Sequence, residues 1–120
     1  MKILIVDDSK AMRMIVMRTL KQTGLSGYTT VEAANGMDAL KIIEDDSPDL
    51  VLSDWNMPEM KGIELLEKVR EAGNKVAFGF ITSESSQETK DLAEKTGADF
   101  IITKPFTAET IETTLASVIA

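Results

Sequence analysis

The sequence predicts a doubly wound α/β domain built on a five-stranded parallel sheet with five helices. Three observations carry that reading. Short apolar runs recur along the chain, segments of helical spacing separate them, and the unit repeats about every 25 residues, as a βα unit does. The runs are continuous rather than strictly alternating, so both faces of the sheet should be covered.

The first run, Lys2–Val6, is cut off by Asp7 and Asp8. Met12, Ile15, Val16, Thr19 and Leu20 follow at the i, i+3, i+4, i+7, i+8 spacing of one buried helical face. Met14 and Met17 fall off that stripe and are expected to be partly exposed. The second strand, Thr29–Ala33, runs into Asn35-Gly36, and the third is Leu50–Ser53. Gly62, Leu65, Leu66 and Val69 mark a helix, and Val76–Ile81 the fourth strand. Ser85–Thr96 offers only Leu92 and Ala93 as good anchors, with Thr89 and Thr96 completing its stripe. Few apolar contacts mean low local stability, so this helix is expected to be the part that moves. Phe100–Thr103 is the last strand, and Ala108, Ile111, Leu115 and Val118 give the final helix its apolar face. Gly24, Gly73 and Gly97 stand where helices should stop.

The 120 residues suit one domain, 1–120. With neither cysteine nor histidine, disulfides, thiol catalysis, iron–sulfur clusters and the preferred ligands of zinc are all absent. A net charge of −7 with scattered lysines and arginines disfavours nucleic acid and anionic lipid as partners. The early apolar run is too short for a signal peptide or a membrane span, which makes a cytoplasmic location the expectation.

Ligands of an open parallel α/β sheet bind beyond the carboxyl ends of its strands. Those ends carry Asp7-Asp8, Asp54, Thr82-Ser83 and Lys104-Pro105. Singly, each has an ordinary explanation. Asp7-Asp8 could be a solvated turn capping the first helix, Asp54 a turn residue ahead of Pro58, Thr82-Ser83 an N-cap, and Lys104-Pro105 a loop. Together they bring three carboxylates, a hydroxyl and an ammonium to one rim. Two carboxylates about 4 Å apart repel by roughly 4 kcal/mol at an effective dielectric of 20, so the cluster calls for a cation. Without His or Cys that cation is hard and oxygen-loving. Magnesium suits two carboxylates, a carbonyl, waters and a phosphate; calcium is the alternative, but the EF-hand loop pattern is missing. A carboxylate beside Mg²⁺ can attack phosphorus to give an aspartyl phosphate, with the lysine and hydroxyl meeting the phosphoryl oxygens. The residues do not say which Asp is the nucleophile. Asp54, alone at the centre of the rim, is favoured.

The segments ILIVDDS, VLSDWNMPEMKGIELL, FITSES and ITKPFT, spread over the whole chain, resemble the response-regulator receiver family of two-component systems. Within it the chain looks most like the stand-alone chemotaxis regulators of the CheY type, through Asp54-Trp55-Asn56-Met57-Pro58 and the lack of an output domain. The resemblance implies a three-layer, flavodoxin-like fold with strand order 2-1-3-4-5. It makes Asp54 the acceptor of a phosphoryl group from a histidine kinase, with Mg²⁺ held by Asp8, Asp54 and the Asn56 carbonyl, and by Asp7 through water. Thr82 would be the switch hydroxyl and Lys104 the paired cation. The Lys104–Pro105 bond would be cis, and the small Ser83 would leave the phosphoryl group accessible. Asn56 and Glu84 would tune self-dephosphorylation. The implied partners are an output protein such as a flagellar motor switch component and a phosphatase, met by a monomer that catalyses only its own phosphorylation and dephosphorylation.

One position departs from the family. Three residues before the lysine it usually carries Tyr or Phe, and here stands Ile101, open to reading as a switch position or as plain packing. Phe100 would face the other side of the strand and cannot replace the ring. Two rivals fit less well. A haloacid-dehalogenase-like phosphatase would want a second Asp where Asn56 stands, and a flavodoxin-like redox carrier would want a hydroxyl-rich phosphate loop in place of Asp7-Asp8-Ser9-Lys10.

Overall fold

The computed structural model describes residues 1–119, with the backbone alone of Ile119; Ala120, the last residue of the expected 1–120 domain, lies outside the described residues. The chain alternates β1 (Lys2–Val6), α1 (Lys10–Lys21), β2 (Thr29–Ala33), α2 (Gly36–Asp46), β3 (Leu50–Ser53), α3 (Gly62–Glu71), β4 (Ala77–Thr82), α4 (Gln87–Thr96), β5 (Phe100–Thr103) and α5 (Ala108–Ile119). The strands form one parallel sheet in the order β2-β1-β3-β4-β5, a flavodoxin-like receiver fold.

Side-chain alternation sorts the apolar strands into two cores. Leu4, Val6, Val51, Phe78 and Phe80 point toward α2, α3 and α4, and Trp55 meets Phe80 edge to face with centroids 4.9 Å apart. Ile3, Ile5, Leu50, Leu52, Ile81 and Ile102 point toward α1 and α5. Ile101 packs on the first face and Phe100 on the second, so the phenylalanine does not stand in for the missing ring.

Four expectations need adjusting. β4 spans Ala77–Thr82 rather than Val76–Ile81. Val76 leaves the ladder because its N–H goes to the Asn74 side chain and its carbonyl to Arg70, while Thr82 pairs with Thr103. The α1 core row is Val16, Met17 and Leu20, while Ile15 is 46% exposed. The row of Met12, Ile15 and Thr19 turns instead toward Pro105 and Phe106, where it lines a groove of about 380 Å³. In α4, Leu92 points to solvent and only Ala93 is buried; the helix starts at Gln87, with Ser86 as its cap. Gly73 and Gly97 do close helices with left-handed backbones, φ 80° and 108°, but Gly24 does not; its N–H instead meets Glu112 of α5.

Candidate functional site

The carboxyl ends of β1, β3, β4 and β5 meet at one rim, and each loop there is shaped by its own hydrogen bonds. After β1, Ser9 caps α1 by accepting the Met12 N–H, and the Ser9 N–H donates to Asp7 Oδ1 at 2.9 Å. The cap is therefore Ser9, which leaves the Asp8 carboxylate with no part in the helix start. After β3, the Asp54 N–H donates to the Val6 carbonyl, and the Trp55 N–H donates to Asp54 Oδ1 at 2.8 Å. Burial of Trp55 and Met57 folds this loop back onto the core, and Gly62 lets α3 begin hard against it. A Cβ at Gly62 would collide with the Asp54 carbonyl and the Phe80 ring. After β4, the Thr82 hydroxyl accepts the Glu84 N–H at 3.0 Å, and α4 takes its cap from Ser86. After β5, the Lys104 N–H donates to the Thr82 carbonyl and the Lys104–Pro105 peptide is cis.

These loops bring one carboxylate oxygen each of Asp7, Asp8 and Asp54 within 4.8 Å of one another. Lys104 Nζ lies 3.7 Å from Asp54 Oδ1. Asp7 is buried, Asp54 half-buried and Asp8 exposed, a bowl open on one side. Thr82 is fully buried at the adjoining strand end. Asn56 and Glu84 are exposed at the rim, and Ile101 lies lower on β5, half-buried beside α4. So the expected acidic cluster and lysine are assembled, while Ile101 stands apart from them.

Electrostatics matches the crowding. Burial pushes the Asp54 carboxyl above the usual carboxylate range; Lys104 and the Trp55 N–H pull it back, and Asp8 adds to the rise. Burial likewise raises Asp7, against the Ser9 N–H and with repulsion from Asp54. Three carboxylates against one lysine leave excess negative charge in a partly dry bowl, a binding force for a cation. The potential donors are the three carboxylates, oxygen ligands that fit a hard divalent ion rather than a soft one.

One contributor was not foreseen. Arg13 donates from Nη1 to the Asp7 carbonyl at 2.6 Å and from Nε to Glu32 at 2.9 Å. The signal was available: Arg13 opens the Val16-Met17-Leu20 row at i, i+3, i+4, i+7, where an arginine is out of place unless it is paired.

Comparison with known proteins agrees with this geometry. The model of the response regulator receiver domain family matches residues 3–116. The chemotaxis protein CheY-3 of Vibrio cholerae is 41% identical over 93% of this chain and 86% of its own length. Chemotaxis protein CheY1 of Helicobacter pylori is 36% identical over 99% and 97%. The solved structure of the V. cholerae chemotaxis protein CheY4 superposes with a TM-score of 0.86 at 37% identity, covering 98% of this chain and 97% of that one.

Proposed function

This chain belongs to the response regulator receiver domain family, and from that premise we propose that it is a phosphorelay switch whose phosphoacceptor is Asp54. The observation that carries the assignment is the placement of Asp54, with an ammonium 3.7 Å away and one carboxylate oxygen each of Asp7 and Asp8 within 4.8 Å. A carboxylate oxygen of Asp54 attacks the phosphorus of a phosphohistidine on a kinase. The new O–P bond forms as the P–N bond breaks, and the imidazole leaves. Asp8, Asp54 and the Asn56 carbonyl would hold Mg²⁺, with Asp7 reaching it through water; bound there, the ion offsets the charge of the phosphoryl oxygens. Lys104 pairs with one of those oxygens. Exposed Ser83 leaves the approach open.

The response runs through Thr82. Its hydroxyl gives up the N–H it accepts from Glu84, donates its own proton to a phosphoryl oxygen and vacates space under α4. The output face is α4, β5 and α5, where a groove of about 440 Å³ runs between α4 and Ile101. Its partner would be a flagellar motor switch component, in line with relatives named as chemotaxis proteins. Asn56 and Glu84 flank the line of water attack and set a short phosphoryl lifetime, with a phosphatase as a further partner. The protein acts as a cytoplasmic monomer; among the described residues no helix is long and apolar enough to cross a membrane.

The test is intact mass after incubation with acetyl phosphate and Mg²⁺. Wild type should gain one phosphoryl group and Asp54→Asn none. Equal labelling of Asp54→Asn at another residue would remove the assignment.

A further inference from the structure

Arg13 looks at first like a plain surface residue of a basic helix, since α1 holds Lys10, Arg13, Arg18 and Lys21 and no acid. Its side chain is only 13% exposed, however, and ties three elements together. It starts from α1, where its own N–H donates to the Ser9 carbonyl. Its guanidinium donates to the Asp7 carbonyl at 2.6 Å and to Glu32 of β2 at 2.9 Å. β2 in turn receives the Asp7 N–H at Ala33.

The Asp7 carbonyl lies just past the end of β1, so it needs a partner from outside the sheet. The same peptide carries the N–H of Asp8. Fixing the direction of that carbonyl fixes the plane of the Asp7–Asp8 peptide, and with it the direction in which each carboxylate leaves the chain. We propose that Arg13 is a positioning residue of the rim, holding the Asp7–Asp8 peptide so that both carboxylates converge with Asp54 on one divalent cation. Arg13 touches neither cation nor phosphoryl group; it acts through the peptide, and Glu32 aims its fork. The inference rests on the reading of the rim as a Mg²⁺ site.

The sign of one measurement separates this role from a purely electrostatic one. An arginine that acted only as a nearby positive charge would repel Mg²⁺, and removing it would tighten binding. A positioning arginine does the opposite. Titration with MgCl₂, followed by Trp55 emission, should show Arg13→Gln binding Mg²⁺ roughly tenfold more weakly than wild type, the usual scale for loss of an outer-sphere partner. Arg13→Lys keeps the charge but replaces the fork with a single flexible donor, so it should fall between the two. Thermal unfolding in EDTA establishes that each variant is folded at the titration temperature. If Arg13→Gln fails that control, Arg13→Lys decides alone, because any loss at constant charge is geometric. Binding by Arg13→Gln as tight as wild type or tighter would overturn the inference, as would an unchanged constant in Arg13→Lys. Wild type that takes up no Mg²⁺ would remove the metal reading, and this inference with it; weak variants beside a wild type that binds uphold both.

Discussion

Two ten-residue helices, α3 and α4, pack on the same face of the sheet and are held there very differently. α3 buries Gly62, Ile63, Leu65, Leu66 and Val69, and its first residue abuts the Asp54 loop. α4 buries Ala93 alone and leaves Leu92 43% exposed. Its C-terminal end is nonetheless tethered, because Arg70 of α3 donates from Nε and Nη2 to the Gly97 carbonyl at 3.1 and 2.9 Å. Its N-terminal end, on the side of Thr82, is closed by the Ser86 cap. Neighbouring helices can thus divide the labour of a switch. On the proposed function one would fix the site and the other would respond, pinned at its far end by Arg70. Sparse burial next to Thr82 is what the proposed shift between two states needs.

The largest effect expected from this contrast is on stability. Leu65→Ala removes a fully buried side chain and should cost about 2–5 kcal/mol in urea unfolding. Leu92→Ala, the same truncation at the exposed leucine of α4, should stay within about 0.5 kcal/mol of wild type. Similar losses at the two sites would dissolve the contrast.

A smaller effect is expected at the acidic rim, which the α3 side holds in place. Burial raises the carboxyls of Asp7 and Asp54 above their unfolded values. The native state therefore binds their protons more tightly than the unfolded chain does. Stability without metal should rise as pH falls through the raised native values toward the unfolded ones, and be lost again as pH rises. At neutral pH, Asp54→Asn should then stabilise the metal-free protein by on the order of 1 kcal/mol, the scale of one relieved repulsion between partly solvated charges. Mg²⁺ should stabilise wild type at neutral pH and leave Asp54→Asn nearly unmoved. Thermal unfolding across pH, with EDTA or Mg²⁺, checks both arms. A destabilised Asp54→Asn in EDTA would mean that Lys104 outweighs burial.

Most of this architecture was legible in the residues, and for an identifiable reason. Strand length, βα spacing and rim composition are local properties, so Lys2–Val6, Leu50–Ser53 and the Asp7, Asp8, Asp54 and Lys104 set could be read directly. The misses are tertiary. Ile15 has a core-like spacing, but the loop through Pro105 and Phe106 decides that its row stays partly wet. Leu92 looks like an anchor until the bare α4 contact turns it outward. Val76 reads as strand, yet Asn74 and Arg70 have claimed its hydrogen bonds. Arg13 is marked by its spacing as a residue that must be paired, but its partner is a carbonyl six residues back, which no pattern of residue types names.

The smallest effect expected is at Ile101, and it sharpens the contrast most. Ile101 packs on the same face as α4 and lines the groove beside Lys90, Ala93 and Glu94. A ring at this place would have to be displaced or admitted when α4 moves, whereas a half-buried isoleucine can adjust in place. Ile101→Ala should therefore change the coupling between rim and α4 by only about 0.5 kcal/mol, the low end of such effects. Thr82→Ala removes the hydroxyl that links them and should abolish the coupling. Amide exchange with and without beryllofluoride and Mg²⁺ reads this directly. In wild type, protection should change across Ser85–Thr103, most at the α4 N-terminus and least at Gly97, where Arg70 holds the backbone; α3 should change little. Ile101→Ala should keep that profile with slightly altered amplitude, and Thr82→Ala should flatten it. A profile lost equally in both variants would make Ile101 a switch element in its own right. Changes spread evenly over α3 and α4 would show that the two helices move together.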